Sequence, residues 1–267
     1  MDYVTFSGRG LHSGERCMLR LRRAVGPFRF ERGGEQATRD ELRVVRTDHG
    51  VCVEAEAIGM RIDLVEHLFS ALAGLGIQDD VAAEVHGPEI PVLDGAALEL
   101  ALALRGLRLP RRPPRLCIVQ SASIEVGSAR YELSPGDGVE VHVEAAFAPL
   151  APQHASWSSS PDLYISQIAP ARTFGFQRDA PALQRAGRAQ HVDPNVVVVL
   201  DDSGVPIAPF GRLRPNELAR HKLLDLLGDL YLYGGPLLGT LRAFRPGHTA
   251  NHELVRQAMR AGVIAQR

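Results

Sequence analysis

The chain has 267 residues, with 30 Lys+Arg against 31 Asp+Glu, 45% hydrophobic and 6% aromatic residues, ten histidines and three cysteines. That length fits one large domain or two of roughly 100–150 residues; the apolar fraction excludes wholesale disorder, and a formal charge of −1 removes the basic field that nonspecific nucleic-acid binding needs. Cys17, Cys52 and Cys117 are odd in number and lack CxxC spacing, which argues against a disulfide framework and a cysteine-rich zinc site, so a reducing cytoplasm is expected.

The first residues show neither the basic nor the apolar region of a signal peptide, and the longest apolar runs, 96–104 and 196–200, fall far short of the roughly 20 residues a membrane-spanning helix requires. Strand-like runs at 17–21 and 43–45 flank a Gly- and charge-rich segment, 31–41, that reads as a loop. A helix follows, with Asp63 as N-cap, Glu66 at capping-box spacing, an apolar face of Leu64, Leu68 and Leu72, and a stop at Gly74-Leu75-Gly76. Next come a strand at 80–86, the turn-rich GPEIPVLDG and an Ala/Leu helix at 96–107. Pro110-Arg111-Arg112-Pro113-Pro114 breaks helix and ladder alike and marks a linker, dividing the chain into halves at 1–112 and 113–267.

The second half opens on strands at 116–120, 129–133 and 139–145 and a polar loop around 153–161. A Leu-rich helix at 216–233, a strand at 238–244, the turn Arg245-Pro246-Gly247-His248 and a last helix at 251–261 complete it. Helix, strand, Gly-containing turn and helix therefore occur in that order at 63–107 and again at 216–261, the pattern of two related halves.

Glu217, His221, Asp225 and Asp229 form the clearest polar constellation. Residues four apart on a helix turn only about 40° relative to one another, so the four make one drifting stripe on an otherwise leucine-rich helix. His221 and Asp225 have the spacing to grip one metal ion, but the same spacing suits a solvent-exposed His–Asp pair, the commoner arrangement on spacing alone. Glu66-His67 holds the equivalent place in the other half. There His67 is a candidate third ligand and Glu66 either a general base or a plain capping-box acid. His248, after a glycine in a turn, is either a general acid or an idle turn residue. HExxH, GxSxG, a Walker A loop and a GxGxxG after a strand are absent, which leaves serine-hydrolase, P-loop and Rossmann readings without their usual support.

Taken together, GLHSG (10–14), VEHLFSALAGLGIQDD (65–80), PEIPVLDGAA (88–97), ARTFGF (171–176), RHKLLDLLGDLYLYG (220–234) and GHTANHELV (247–255) resemble the UDP-3-O-acyl-N-acetylglucosamine deacetylases of lipid A biosynthesis in Gram-negative bacteria. The matches keep that family's order and span nearly the whole chain. The resemblance implies an α+β fold of two related domains, each a β-sheet layer packed on a helix layer, with the active site between them. It implies a zinc amidase with Zn2+ on His67, His221 and Asp225, Glu66 as base, His248 as acid or oxyanion partner oriented by Asp229, and Thr173 assisting the oxyanion. Lys222 and Phe174 would contact an acylated UDP-sugar, and an insert at about 171–200 would form the acyl passage. A cytoplasmic monomer with, at most, transient membrane contact is expected.

Three segments depart from the family pattern. Gln190-His191-Val192-Asp193-Pro194-Asn195 replaces a Gly-Gly-Ser type segment, and Ala146-Phe147-Ala148-Pro149-Leu150 replaces a polar nucleotide-binding stretch, leaving Phe147 a stacking role. LRPNELARHK (213–222) is one residue short. The catalytic set is intact and the substrate-recognition set is altered. Two competing readings follow: the same zinc chemistry on a different acylated sugar nucleotide, and a non-catalytic binding paralogue.

Overall fold

In a computed structural model of the chain, residues 2–193, 195–207 and 212–267 are described. The first half runs through β1 (Tyr3–Arg9), β2 (Arg16–Pro27), β3 (Arg29–Arg32), β4 (Glu35–Thr38), β5 (Arg43–Arg46), β6 (Cys52–Ala55), β7 (Met60–Ile62), α1 (Glu66–Leu75), β8 (Asp79–His86) and α2 (Leu98–Gly106). The second continues with β9 (Leu116–Ile118), β10 (Ala122–Val126), β11 (Ala129–Ser134), β12 (Val139–Ala145), β13 (Gln153–Trp157), α3 (Pro161–Leu163), β14 (Phe174–Phe176), α4 (Ala180–Arg185) and β15 (Val198–Leu200). It closes on α5 (Glu217–Tyr231), β16 (Leu237–Phe244), α6 (His248–Arg260) and β17 (Ile264–Gln266).

Each half is built on one sheet covered by helices, an α+β arrangement, and the two sheets have the same topology. The first has the order β1-β2-β8-β3-β4 and the second β10-β11-β16-β12-β13, with β9 and β17 added beside the start of β16. Within each, the outer hairpin is antiparallel, the central strand (β8 or β16) is antiparallel to one neighbour and parallel to the other, and the far pair is antiparallel. A helix precedes each central strand (α1, α5) and another follows it (α2, α6). Each half also carries an insertion at the same point, between the fourth in chain order of its five strands (β4 or β13) and the helix before its central strand. In the first it is the sheet β5-β6-β7, in the second the segment containing β14 and β15.

Alternation explains the sheet layers. In β2, Cys17, Leu19 and Leu21 face inward while Met18, Arg20 and Arg22 face outward. The helices stack on these inner faces, and one continuous core joins Leu68, Leu72, Leu223, Leu227 and Tyr231 to the sheets of both halves. The closest approach is between α1 and α5. A Cβ built on Gly228 would overlap the carbonyl of Glu66, and one on Gly74 would overlap the ring of Tyr164. His67 and Gly74 are separated by seven residues, as are His221 and Gly228, so each helix carries a histidine and a glycine on nearly one face. No helix among the described residues is long and apolar enough to cross a membrane.

Four sequence expectations are corrected. The 31–41 loop contains the β3–β4 hairpin, turned by Gly33-Gly34 at φ +59° and +92°; its outward charges masked the inward pair Phe30 and Ala37. The polar loop at 153–161 begins with β13, whose edge position leaves one side polar. Asp63 does not cap α1: Val65 holds that place, and the Asp63 carboxylate meets Arg46 and the Leu64 N–H. His248 is the first residue of α6 and not part of a preceding turn. β10 and β17 were not expected, Pro194 of the altered segment lies outside the described residues, and the 110–114 tract is irregular, tied by Arg112 N–H to the Gly76 carbonyl (2.8 Å).

Gly228→Ala is expected to destabilise the fold by about 1–3 kcal/mol through overpacking, read from urea unfolding. Gly106→Ala, where an added Cβ meets nothing within 4 Å, is expected to be neutral or stabilising; equal effects of the two changes would refute the close crossing.

Candidate metal centre and active site

Between the halves lies a cavity of about 730 Å³. The first half lines it with Leu11, His12, Gly50, Glu66, His67 and Ile90, and the second with Thr173, Phe174, His221, Lys222, Asp225 and His248. Its polar end is assembled from the first turn of α1, the middle of α5 and the first turn of α6; its remaining walls are largely apolar, including Val92, Leu183, Val197 and Val199.

Burial decides between the alternatives that spacing left open. Glu66, His221, Asp225 and Asp229 are only 3%, 3%, 1% and 2% exposed, which overturns the reading of a solvated His–Asp pair. Glu66 makes no capping box; its Oε2 accepts the Val51 N–H at 3.0 Å. His67, His221 and Asp225 bring one donor atom each to within 4.8 Å of one another, a spacing that can hold one metal ion. The imidazoles of His67 and His221 stand edge to face with centroids 5.3 Å apart.

His221 Nδ1–H donates to the Ala171 carbonyl at 3.0 Å, which leaves Nε2 as a lone pair. That nitrogen lies 3.4 Å from Asp225 Oδ1, a buried oxygen with no hydrogen-bond partner among the described residues. Two lone pairs facing each other are mutually repulsive unless a cation is shared between them. Desolvation and the neighbouring His221 push the His67 pKa down to about 3, and desolvation lowers that of His221, so both rings are neutral, the form that ligates metals. Burial alone would raise the Asp225 pKa, but the positive charges of Lys222 and His248 outweigh it and keep the carboxylate ionised. The other oxygen, Oδ2, accepts Lys222 Nζ–H at 2.7 Å.

The rest of the polar end is one hydrogen-bonded run. His248 Nδ1 meets both oxygens of Asp229 (3.0 and 2.9 Å), Asn251 Nδ2–H donates to Asp229 Oδ2 (2.7 Å), and Tyr131 O–H donates to Asn251 Oδ1 (2.7 Å). Desolvation works against protonating His248, yet the Asp229 and Asp225 charges prevail and lift its pKa to about 9. The Glu66 pKa also moves up, which for a carboxyl favours the neutral form: desolvation raises it to about 7, although the His248 charge and the Val51 N–H resist.

Glu217, first in the polar stripe, does not enter the cavity. Its carboxylate receives Arg172 through Nε and Nη2 at 2.8 and 3.0 Å, and with the His221–Ala171 bond this pins the segment that presents Thr173 and Phe174. Thr173 N–H donates to the Gly95 carbonyl at 2.6 Å, joining that segment to the first half. Lys222 lies against Phe174, its Nζ 5.4 Å from the ring centroid. Phe147 is one ring removed, packed edge-on behind Phe174 at 5.1 Å. Sequence reasoning missed Asn251, Tyr131, Glu217 as an anchor, and Val51. Of these, Glu217 carried the i,i+4 spacing of the stripe, though not its role as an anchor, and Asn251 stands three residues after His248 on one helix; Tyr131 and Val51 carried no spacing signal.

The LpxC family model, described as UDP-3-O-acyl N-acetylglycosamine deacetylase, matches residues 1–260. The chain belongs to the LpxC family. A protein named UDP-3-O-acyl-N-acetylglucosamine deacetylase from Anaeromyxobacter sp. is 37% identical over 266 residues, 96% of this chain and 86% of the relative. Proteins of the same name from Myxococcus xanthus and Acidithiobacillus ferrooxidans are 33% and 35% identical, covering 96% and 94% of this chain and 84% and 85% of theirs. The LpxC match takes in every residue of the polar end described above.

Asp229→Asn removes the anion that favours imidazolium, so His248 is expected to titrate below the value of about 9. Proton NMR titration of the His248 ring checks this; an unshifted midpoint would mean that Asp229 does not set its charge.

Proposed function

We propose that this chain removes the N-acetyl group of UDP-3-O-acyl-N-acetylglucosamine, releasing acetate and the free amine, the deacetylation step of lipid A biosynthesis. The observation that carries the reading is the buried His67–His221–Asp225 group beside Glu66 and the Asp229–His248 pair, in a chain that the LpxC family model matches over residues 1–260. Two neutral imidazoles, an ionised carboxylate and an Asp225 Oδ1 without a hydrogen-bond partner among the described residues fit Zn2+, which favours nitrogen and oxygen donors. Bound there, Zn2+ supplies a Lewis acid for the acetyl carbonyl and lowers the pKa of a water towards about 7.

The protein groups then divide the proton work. Glu66 accepts a proton from the water whose oxygen attacks the acetyl carbon, and burial keeps its carboxyl near neutrality for that task. The Thr173 hydroxyl, presented at the cavity wall, donates to the oxyanion. The C–N bond breaks as the protonated His248, held by Asp229, or Glu66 returning its proton, delivers a proton to the amine nitrogen. The water oxygen leaves in acetate. Lys222 supplies a positive charge to a substrate phosphate and Phe174 an aromatic face, with Phe147 backing that ring. The functional division falls at residues 112 and 113, and the insert at about 171–200 borders the passage for the acyl chain.

A zinc amidase acting on a different acylated sugar nucleotide is the second reading, favoured by the apolar 146–150 stretch and by Phe147 lying behind the cavity wall. The assembled Glu66, Asp229 and His248 weigh against a non-catalytic paralogue, which has no use for a base, an acid and its orienting carboxylate together.

Glu66→Gln is expected to lower kcat for acetate release by about 10²- to 10⁴-fold while bound zinc stays at the parental level. His67→Ala and Asp225→Ala are expected to lose the metal itself, read by elemental analysis. Parental turnover in Glu66→Gln, or full zinc content in both ligand variants, would sink the mechanism.

A further inference from the structure

The opening motif at 10–14 and the altered segment after ARTFGF are not used by the chemistry above, yet they meet. Gln190 N–H donates to the His12 carbonyl at 3.3 Å and His191 N–H to the Leu11 carbonyl at 3.2 Å, lacing the insert of the second half to the first loop of the first. Ala189 N–H points at His12 Nδ1 (3.3 Å), so Nε2 carries the hydrogen of the neutral ring and donates to the His49 carbonyl at 2.7 Å. The same carbonyl accepts Arg188 Nη2–H at 3.1 Å. Both lone pairs of that oxygen are thereby engaged.

His49 opens the segment that touches Glu66. His49 and Gly50 both have positive φ, +49° and +130°, and a non-glycine residue persists in that region when its surroundings over-determine it. Val51 N–H donates to Glu66 Oε2 at 3.0 Å, and a Cβ on Gly50 would stand 3.1 Å from Oε1. Both oxygens of Glu66 are therefore placed against the 50–51 backbone, and the residue before it is anchored by two donors that converge from opposite halves.

Of those donors, Arg188 is the harder to explain by folding alone. It is 6% exposed, it carries a guanidinium into the interior, and its Nε and Nη1 lack hydrogen-bond partners among the described residues. Burying such a group is costly without a return. Its next neighbours in sequence, Ala189 and Gln190, line the cavity, and the guanidinium reaches behind that wall to the His49 carbonyl.

We propose that Arg188 is a positioning residue for the deacetylation: through the His49 carbonyl it holds the 49–51 backbone in the one conformation that orients the Glu66 carboxylate. The proposal rests on the reading of Glu66 as base. Arg188 touches no reacting atom and acts only through this chain of hydrogen bonds.

The test measures kcat and KM of the zinc-loaded protein for Arg188→Met, Arg188→Lys, Glu66→Gln and the double variant Arg188→Met with Glu66→Gln, together with amide hydrogen exchange at Val51. Arg188→Met is expected to lose about 10- to 100-fold in kcat, the scale of a misplaced catalytic group, with KM within about twofold of the parent. Arg188→Lys recovers part of the loss, since an ammonium can still donate to the carbonyl, and Val51 exchange quickens in the order parent, Lys, Met. In the Glu66→Gln background the Arg188→Met loss vanishes, because no carboxylate remains to be oriented. A parental kcat in Arg188→Met, a rise in KM alone, or a loss of full size in the Glu66→Gln background would each overturn the proposal. Should Arg188→Met not fold, parental kcat and parental Val51 exchange in Arg188→Lys would overturn it. Parental kcat in Glu66→Gln would overturn the reading of the base itself, so the two failures give different results.

Discussion

The site depends on how closely α1 and α5 cross. Where Gly228 passes the Glu66 carbonyl there is no room for a side chain, and that contact brings the first turn of one helix against the middle of the other. Glu66 and His67 come from the first, His221 and Asp225 from the second, and the cavity forms between the halves they belong to. An added methyl at residue 228 would push the two helices apart, and in the proposed mechanism groups displaced by about 1 Å would lose much of their efficiency. Packing and chemistry are therefore constrained by one contact.

The second constraint is the cost of interior charge. Three carboxylates on α5 are nearly inaccessible, and each is balanced by a specific cation or donor: Arg172 on Glu217, Lys222 on Asp225, and His248 with Asn251 on Asp229. The leftover capacity is concentrated at Asp225 Oδ1, beside the lone pair of His221 Nε2. Burial alone would have pushed such groups toward uncharged forms; the arrangement keeps His248 cationic, Asp225 anionic and the two other imidazoles neutral within one small volume. Three of these four side chains are held by a fixed hydrogen-bond partner: His221 by the Ala171 carbonyl, Asp225 by Lys222 and His248 by Asp229.

Much of this was legible in the sequence, and the limits have physical causes. The i,i+4 stripe located α5, and the repeated order of helix, strand and helix indicated two halves, which the equal sheet topologies bear out. Spacing could not separate a buried stripe from a solvated one, because burial is decided by what packs above it. The same limit gave Asp63 and Glu66 a capping box: the local pattern is common, while the Val51 N–H that occupies the Glu66 carboxylate comes from a strand insertion fifteen residues earlier. Edge strands escaped for a related reason, since β4 and β13 are short and each opens on two polar residues, Glu35-Gln36 and Gln153-His154, which hides the alternation in the sequence. Glu217 belonged to the stripe by spacing alone; its Arg172 partner turns it to a different purpose.

The matched topology of the halves carries a further consequence. A single half pairing with its own copy through the helix before its central strand would set two identical histidines face to face, as an isologous contact requires. His67 and His221, each seven residues before a glycine, hold equivalent places on the two helices, as they would in such a symmetric pair. What distinguishes the present halves is then the departure from symmetry: a glutamate before one histidine, an aspartate one turn after the other. Only a fused chain can vary the two copies separately, and each of these changes occupies a position that a dimer would have been forced to duplicate.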